Sequence, residues 1–216
     1  MKHEIAQWIG DREEQQDRAR VVVIRKCTIA IVADGMGGIG GGEAAETAIN
    51  EVVRYLRVRA ATLGRPKDAM HGMLRRAIDA ACEAVLKLRD ARGERGIGCT
   101  LAIALVFPGR VVVANVGDTW AWVRDQEWAM PASVAANMGH VYPALSNRIT
   151  SLIPHARIVT IHDMETADCP TVWLGSDGVT FTSADISKNA QQLIDGAQAV
   201  RAHNRDNATA IRVWTE

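Results

Sequence analysis

The sequence predicts an α+β fold in which layered antiparallel sheets carry helices on their outer faces. Two apolar, β-branched runs near the N-terminus are separated only by Arg25 and Lys26, which predicts a β-hairpin. Two stretches with helical spacing then follow one another directly, and most later apolar runs are short and strand-like. A parallel doubly wound sheet needs regular alternation of strand and helix, so this order favours antiparallel layers.

The predicted helices are defined by apolar side chains that recur every three or four residues. Two of them adjoin, and Gly64-Arg65-Pro66 ends the first. A third begins at Thr182-Ser183-Ala184-Asp185, which resembles an N-terminal capping box. The apolar positions that define the three buried faces are Ala45, Ala48, Ile49, Val52, Val53 and Leu56; Met70, Leu74, Ala77, Ile78, Ala81, Val85 and Leu88; and Ile186, Ala190, Leu193, Ile194 and Ala197.

The predicted strands are short apolar runs that contain many β-branched residues. The three runs between residues 99 and 124, of which the first two are joined by Pro108-Gly109, predict an antiparallel meander. Residues 125–155 show weak periodicity, which predicts an irregular excursion with one short helix. The strand-like runs are residues 20–24, 28–33, 99–107, 110–116, 119–124, 157–161, 171–174 and 208–214.

Charge and hydropathy argue against several classes of function. The 216 residues include 25 basic and 25 acidic side chains, and they contain no basic stripe of the kind that binds nucleic acid or membrane surfaces. No apolar stretch approaches the ~18–20 residues of a membrane span, and the N-terminal segment is too polar for a signal peptide. The cysteines form no C-x-x-C pair, which predicts buried free thiols in a cytoplasmic protein. They are Cys27, Cys82, Cys99 and Cys169.

A glycine-rich stretch, Gly35-Met36-Gly37-Gly38-Ile39-Gly40, admits two interpretations. It matches G-x-G-x-x-G, the dinucleotide-binding fingerprint, between a predicted strand and a predicted helix. That fingerprint needs an acidic residue at the end of a second strand about 20 residues later. Residues 55–59, which occupy this place, are basic and helical in pattern. The glycines therefore indicate a sharp backbone bend beside a ligand, and the adjoining acid, Asp34, is a candidate metal ligand.

Acidic residues recur at the boundaries of the predicted strands. Besides Asp34, they are Asp118, Asp177 and Asp206. A turn alone explains any single aspartate beside glycine. Four such acids at strand ends favour a shared metal site, because carboxylate oxygens are the ligands that Mg²⁺ and Mn²⁺ prefer.

Together with Asp17, these positions lie in blocks that resemble the metal-dependent serine/threonine protein phosphatases of type 2C. The blocks occur in family order and span nearly the whole chain: GDREEQQDR, VADGMGG, GCTLAIAL, VVVANVGDTWAWV, VWLGSDGV and RDNATAIRV. The resemblance implies a four-layer α-β-β-α sandwich of two antiparallel sheets flanked by helices. It also implies a single phosphatase domain over residues 1–216, with an abbreviated flap within about 125–155.

The resemblance also implies a set of metal ligands. Asp34 is the bridging carboxylate and a catalytic residue, Asp17 binds through water, and Asp118 holds a third, looser ion. The oxygen-only donor set suits Mg²⁺ or Mn²⁺, so two or three such ions are the expected cofactors. The complete set of implied ligands is Asp17, Asp34, Gly35 through its carbonyl, Asp118, Asp177 and Asp206.

Further residues support the implied chemistry, in which a water that bridges the metals attacks the phosphorus. Arg12 matches the arginine that grips the substrate phosphate, for which its planar guanidinium is suited. Gly37 and Gly38 give the bend room. Asn207 either orients Asp206 or caps a strand.

Four departures from the family pattern affect the expected site. Gln16 replaces a glutamate, and Met36 replaces a histidine that is the general-acid candidate in other members. Trp120 stands in the place of an arginine. The flap lacks a T-x-D-H motif, and its apolar residues either alter substrate choice or cover the end of the sheet; they are Trp128, Met130, Met138 and Tyr142. Three histidines are expected at the surface, with one of them as an alternative general acid; they are His140, His155 and His162.

The predicted function is hydrolysis of phosphoserine and phosphothreonine in proteins. One alternative is a catalytically inactive phosphatase fold that serves as a binding or regulatory module. Another is hydrolysis of a small phosphorylated molecule by the same metal centre. We expect a phosphorylated protein as substrate, a cognate serine/threonine kinase as a further partner, no nucleic-acid or membrane partner, and a monomer in the bacterial cytoplasm.

Overall fold

The computed structural model describes residues 1–126, 128–133, 151–156, 158–167, 169–200 and 205–215. The strands in these ranges are β1 (Lys2–Trp8), β2 (Arg18–Ile24), β3 (Cys27–Ala33), β4 (Gly35–Met36), β5 (Gly98–Cys99), β6 (Leu101–Phe107), β7 (Arg110–Val116), β8 (Trp120–Arg124), β9 (Ala129–Pro131), β10 (Thr160–Glu165), β11 (Thr171–Gly175) and β12 (Ala208–Trp214). The α-helices are α1 (Gly41–Val58), α2 (Lys67–Arg92) and α3 (Ala190–Ala199).

Two antiparallel sheets form the centre of the molecule. The first sheet has the strand order β1-β12-β11-β8-β9, and the second sheet has the order β10-β7-β6-β3-β2. β2 and β3 form the predicted hairpin, with Ile24 opposite Cys27 at its turn. The predicted α+β class with antiparallel layers is therefore confirmed.

The inner faces of the two sheets pack against each other. The side chains at this interface are small or branched and lie fully buried. They include Ala30, Val32, Ala102, Ala104, Val111 and Val113 from the second sheet, and Ala121, Val123, Val172, Leu174, Ile211 and Val213 from the first. Burial of this apolar surface is the main force that holds the sheets face to face.

Helices cover the outer face of each sheet. α1 and α2 pack on the second sheet, where Ile49 and Ile78 are fully buried. α3 packs on the first sheet, where Leu193 and Ile194 belong to the same buried cluster as Trp173. The layers are therefore α-β-β-α, as predicted. Because the second sheet is buried on both faces, β3, β6 and β7 are nearly unbroken apolar runs.

The predicted meander is wrong at its third strand. β6 and β7 pair as predicted, but β8 pairs with β11 and β9 in the first sheet. Gly117, with a φ of 95°, turns the chain at the end of β7. Asn115 holds this turn, because its Nδ2 donates to the Gly117 carbonyl (3.0 Å) and its Oδ1 accepts from Thr119 Oγ1 (3.0 Å). Hydrophobic periodicity does not encode such a change of sheet.

The third predicted helix is divided in two. Its capping box is present, but it caps only a single 3-10 turn, Ser183–Asp185. α3 begins at Ala190, with its own capping box between Asn189 and Gln192. Because Asn189 is extended (ψ 172°), the backbone cannot continue as one helix, and Ile186 lies before α3 rather than on its buried face.

Other differences concern strands at the edges of the sheets. β1 was not predicted, because its sequence KHEIAQW is largely polar and it pairs only with β12 at the edge of the first sheet. β10 begins at Thr160 and continues to Glu165, later than the predicted run of residues 157–161. Of the predicted excursion over residues 125–155, positions 127 and 134–150 lie outside the described residues.

The cysteines are free thiols, as predicted. Cys27 and Cys99 are buried and Cys82 is partly buried, but Cys169 is exposed, contrary to the prediction. It lies just before β11, where the chain returns from the surface into the first sheet. In the described ranges, no helix has the length and apolar character that crossing a membrane requires.

Candidate active site

An open cleft of about 630 Å³ lies where the ends of several strands meet. Asp34 follows β3, Asp118 follows β7, Asp177 follows β11, and Asp206 lies just before β12. Antiparallel pairing within each sheet brings these strand ends to the same end of the sandwich, so the four acids share one cleft.

The structure brings together the residues that the sequence predicted for the site. The cleft is lined by Arg12, Asp34, Gly35, Gly37, Gly38, Asp118, Asp177, Asp206 and Asn207, among others. Asp17 does not line the cleft, but lies behind it with 1 % of its surface exposed. Its Oδ2 accepts a hydrogen bond from Ser176 Oγ at 2.7 Å, which links Asp17 to the turn that carries Asp177.

Asp34 is held at the end of β3 by Thr100. The Asp34 N–H donates to Thr100 Oγ1 (3.1 Å), and the Asp34 carbonyl accepts from the Thr100 N–H (2.9 Å). Gly35 is required next, since a Cβ there would lie 2.3 Å from the Gly41 carbonyl oxygen. The sequence analysis missed the role of Thr100, although this residue belongs to the GCTLAIAL block.

Arg12 and Asp206 form a forked ion pair at the rim of the cleft. Arg12 Nε donates to Asp206 Oδ1 (3.0 Å), and Arg12 Nη2 donates to Asp206 Oδ2 (2.8 Å). Next to it, Arg205 donates to both carboxylate oxygens of Asp11. The two pairs fasten the segment after β1 to the segment before β12, so the predicted phosphate-binding arginine lies directly beside a predicted metal ligand.

Asn207 fastens the same two segments through its side-chain amide. Its Nδ2 donates to the carbonyls of Ile9 (2.7 Å) and Glu14 (3.0 Å), and its Oδ1 accepts from the Gln16 N–H (2.7 Å). The Asn207 N–H donates to Asp206 Oδ1 at 2.8 Å. Asn207 therefore shapes the rim of the cleft in addition to orienting Asp206.

The electrostatics of the cleft are dominated by negative charge. Burial, followed by repulsion from Asp17 and the other acids, raises the pKa of Asp34 to about 10. Burial raises the pKa of Asp17 to about 6 and that of Asp118 also to about 6. Burial and the charge of Asp206 raise the pKa of Asp177. Burial is the largest cause of each shift, and repulsion among carboxylates with little positive charge around them adds to it.

The donor set fits divalent cations. Asp17 Oδ1 and Asp118 Oδ1 are buried and have no hydrogen-bond partner in the described part of the chain. Unpaired carboxylate oxygens suit Mg²⁺ or Mn²⁺, whereas Zn²⁺ prefers His or Cys. As placed, no three His, Cys, Asp or Glu side chains of the described residues are grouped closely enough to hold one ion. One or two carboxylates together with water and the Gly35 carbonyl are a sufficient donor set for Mg²⁺.

The positions that depart from the family pattern have different surroundings. Gln16 Nε2 donates to the Gly38 carbonyl, and Met36 lies partly buried in the cleft. Trp128 packs partly buried against the core between the sheets, whereas Met130 is exposed. Trp120 contacts the Asp177 turn.

The described histidines of the region lie away from the cleft. His155 and His162 are exposed, as expected, and neither lines the cleft, so neither is placed to act as a general acid. The remaining named positions of this region lie outside the described residues; they are Met138, His140 and Tyr142.

The sandwich and its acidic, oxygen-lined cleft define the class of protein. Residues 7–210 match the family model described as Protein phosphatase 2C, and this match covers most of the chain. The chain therefore belongs to the protein phosphatase 2C family of metal-dependent serine/threonine phosphatases. A search of curated proteins gave no match.

Solved bacterial structures share the fold along their whole length. The S. agalactiae serine/threonine phosphatase is 21 % identical, with 100 % of each chain covered and a TM-score of 0.81. The catalytic domain of the serine/threonine phosphatase PstP, in complex with two manganese ions, is 18 % identical, with 100 % of this chain and 98 % of that chain covered and a TM-score of 0.79. PppA of Pseudomonas aeruginosa, a regulatory component of T6SS, is 18 % identical, with 98 % and 96 % covered and a TM-score of 0.78.

Proposed function

We propose that this chain removes phosphate from phosphoserine and phosphothreonine in proteins, with divalent cations bound at the strand-end carboxylates. The charge of the cleft is the observation that carries this proposal. Seven acidic side chains and a single basic one, Arg12, line it in the described part of the chain. Bound cations relieve such a charge imbalance, most of all at the buried Asp118 and the partly buried Asp34 and Asp206.

The proposed assignment places two ions in the cleft. Asp34 and the Gly35 carbonyl, which are neighbours in the glycine-rich motif, would be the central ligands. Asp177 and Asp206 would complete the set of ligands around the ions. Asp17 lies behind the cleft and would bind through water. A third ion would bind at Asp118. When bound, such ions supply Lewis acidity toward phosphoryl oxygens and lower the pKa of water. The PstP catalytic domain, which holds two manganese ions, supports the choice of Mn²⁺ or Mg²⁺. The proposed metal ligands are Asp17, Asp34, Gly35 through its carbonyl, Asp118, Asp177 and Asp206.

Arg12 is the residue of the cleft suited to bind a phosphate group. Its Nε and Nη2 contact Asp206, while Nη1 has no hydrogen bond to the described residues. The fork with Asp206 fixes the plane of the guanidinium and leaves Nη1 for a phosphoryl oxygen. Arg12 therefore orients the phosphate and offsets part of its negative charge beside the carboxylates.

We also propose a domain organisation, an oligomeric state and a location for the protein. Residues 1–216 act as one phosphatase domain, with an abbreviated flap near residues 125–155. The protein works as a monomer in the cytoplasm, where free thiols such as those of this chain persist. A cognate serine/threonine kinase supplies its phosphorylated substrate.

The test is hydrolysis of p-nitrophenyl phosphate and of a phosphothreonine peptide with Mn²⁺, with Mg²⁺ and with chelator. We expect metal-dependent turnover that is lost in Asp34→Ala and kept in Asp195→Asn, which changes an exposed aspartate on α3. Absence of turnover in a folded, metal-binding protein would favour the inactive regulatory module. Strong preference for a small phosphorylated metabolite over the peptide would favour the metabolite phosphatase.

A further inference from the structure

The turn that carries Asp177 is bridged by a tryptophan. Residues 176–179 form a four-residue turn, in which the Val179 N–H donates to the Ser176 carbonyl at 3.1 Å. Trp120, the first residue of β8, donates its single indole N–H to both ends of this turn. The distances from Trp120 Nε1 are 2.9 Å to the Ser176 carbonyl oxygen and 2.8 Å to the Val179 carbonyl oxygen. Asp177 lies between the two bridged positions.

The indole of Trp120 is itself held in place on two sides. Trp120 is directly opposite Gly175 in the pairing of β8 with β11. A Cβ at position 175 would lie 2.2 Å from Trp120 Cζ2, so the ring occupies the space that glycine leaves. On another side, the Phe181 ring packs against it, with centroids 5.0 Å apart and an interplanar angle of 33°. The ring therefore has little freedom to move away from the turn.

The position of this turn matters because Asp177 lies among like charges. Asp206 repels the Asp177 carboxylate, whereas Asp34 interacts with it by hydrogen bonding. The repulsion from Asp206 favours displacement of the turn from the cleft. Backbone bonds at both ends of the turn oppose this displacement without neutralising any carboxylate. A ligand that is held in place before the ion arrives costs less ordering free energy on binding.

We propose that Trp120 is a positioning residue, which fixes the Ser176–Val179 turn so that Asp177 is presented to divalent cations. The inference rests on the proposed role of Asp177 as a metal ligand. Trp120 contacts no reacting atom, so its contribution is to metal affinity rather than to the chemical step. Loss of the shared N–H should therefore weaken metal binding, and a high metal concentration should restore the rate.

Trp122 provides a matched control on the same strand. Its ring also packs against Phe181, with centroids 5.3 Å apart, and it is likewise partly buried. Within the described residues, its indole makes no hydrogen bond to the Asp177 turn. Trp120→Phe and Trp122→Phe thus remove similar aromatic surface, but only the first removes the bridge.

The first experiment is calorimetric titration of the metal-free variants with Mn²⁺, together with the Mn²⁺ dependence of turnover. We expect Trp120→Phe to weaken Mn²⁺ affinity about three- to tenfold, the usual range for losing hydrogen bonds around a ligand. Its kcat at saturating Mn²⁺ should stay within about twofold of the wild type, and Trp122→Phe should match the wild type in both measurements. Equal Mn²⁺ affinity in Trp120→Phe and Trp122→Phe would overturn the proposal.

The proposed function can fail separately from this inference. A wild-type protein that binds no Mn²⁺ and shows no turnover, or an Asp177→Asn variant with unchanged Mn²⁺ affinity, would remove the metal-ligand role itself. If the wild-type protein binds Mn²⁺, Asp177→Asn loses this binding and Trp120→Phe keeps wild-type Mn²⁺ affinity, only the role of Trp120 is removed.

A second measurement uses the unmodified protein and so does not depend on folding of a variant. The chain has six tryptophans, whose indole N–H groups give separate NMR signals. Titration with diamagnetic Mg²⁺ should shift the Trp120 indole signal together with the Asp177 and Gly178 amides, and it should leave Trp122 largely unmoved. A Trp120 signal that stays fixed while those amides shift would contradict the coupling.

Discussion

Two forked arginine–aspartate pairs in this molecule have nearly the same geometry but different surroundings. In the pair between β7 and β10, Arg110 Nε and Nη2 donate to the two oxygens of Asp163 at 2.8 and 2.6 Å. In the cleft, Arg12 donates to Asp206 in the same way at 3.0 and 2.8 Å. The Asp163 side chain is 6 % exposed, whereas that of Asp206 is 43 % exposed.

The difference lies in the charge around each pair. Hydrogen bonding to Arg110 lowers the pKa of Asp163, and the nearby charge of Lys67 acts in the same direction. In the cleft, Arg12 faces several carboxylates at once, and the pKa of Asp34 rises to about 10. The balance of charge around a pair, rather than the geometry of the pair, therefore distinguishes a structural ion pair from a candidate ligand-binding site.

The largest expected effect comes from removing the most perturbed acid of the cleft. Asp34→Asn should lower metal-dependent kcat/KM by on the order of a thousandfold or more, because the proposed role of Asp34 as a bridging metal ligand implies several kcal/mol of transition-state stabilisation. The same change should raise the melting temperature of the metal-free protein by a few degrees, because it removes a carboxylate that the fold repels. Steady-state kinetics and calorimetry measure the two effects.

Asp163→Asn is the matched control, since it changes a buried carboxylate whose charge is balanced. It should keep activity and lower the melting temperature. If metal-free Asp34→Asn lost as much stability as Asp163→Asn, the claim that the charge around Asp34 is unbalanced would be wrong.

The second largest effect concerns the balanced pair. Arg110→Ala should lower the free energy of unfolding by roughly 2–4 kcal/mol, because it leaves the Asp163 carboxylate buried without its partner. Arg110 also donates to the Arg65 carbonyl at 2.7 Å, so the link to the segment before α2 is lost as well. Urea denaturation measures this change, and kcat/KM of the folded fraction should stay within about twofold. A variant with wild-type stability would show that the pair contributes nothing.

The sequence predicted the second sheet and the cleft for different physical reasons. β3 and β6 are buried on both faces, so local hydrophobicity alone identifies them as strands. The acids of the cleft follow strands in short motifs with glycine or asparagine, and such motifs are recognisable without knowledge of the fold.

The remaining features depend on contacts between distant residues. Arg110 and Asp163 are 53 residues apart, and Trp120 is 56 residues from its acceptor Ser176. Neither contact leaves a periodic signal, so Trp120 was evident from the sequence only as a departure from a family pattern. The change of sheet at Gly117 has the same origin, because strand pairing is decided by tertiary packing rather than by local pattern.

A smaller effect is expected from the pair in the cleft. Arg12→Ala should lower kcat/KM for a phosphothreonine peptide by roughly 10- to 100-fold, the usual loss for charge-assisted hydrogen bonds to phosphate. Its free energy of unfolding should change by less than about 1 kcal/mol, because exposed ion pairs contribute little. Arg12→Lys should recover only part of the activity, since it restores charge without the planar fork. If Arg12→Ala lost as much stability as Arg110→Ala, the two ion pairs would not differ in their structural role.

The pH dependence of the metal-free protein tests the charge imbalance of the cleft directly. The folded-state pKa values of Asp17 and Asp118 are raised to about 6, and that of Asp34 to about 10, all above the unfolded value of 3.8. Their contribution to stability is therefore fully present below the unfolded value and is lost as pH rises through the folded values. Between pH 5 and pH 8 in chelator, the free energy of unfolding should fall by several kcal/mol, because each pH unit over which only the folded state keeps a proton contributes about 1.4 kcal/mol.

Saturating Mn²⁺ should remove this decline, because cations then replace the protons that the folded carboxylates retain. Asp163→Asn provides the control, because it removes a carboxylate whose lowered pKa affects stability only on the acidic side of this window. The variant should be less stable at every pH but show the same slope as the wild type between pH 5 and pH 8. A metal-free protein whose stability is flat or rises over this window would mean that the carboxylates of the cleft carry no excess negative charge.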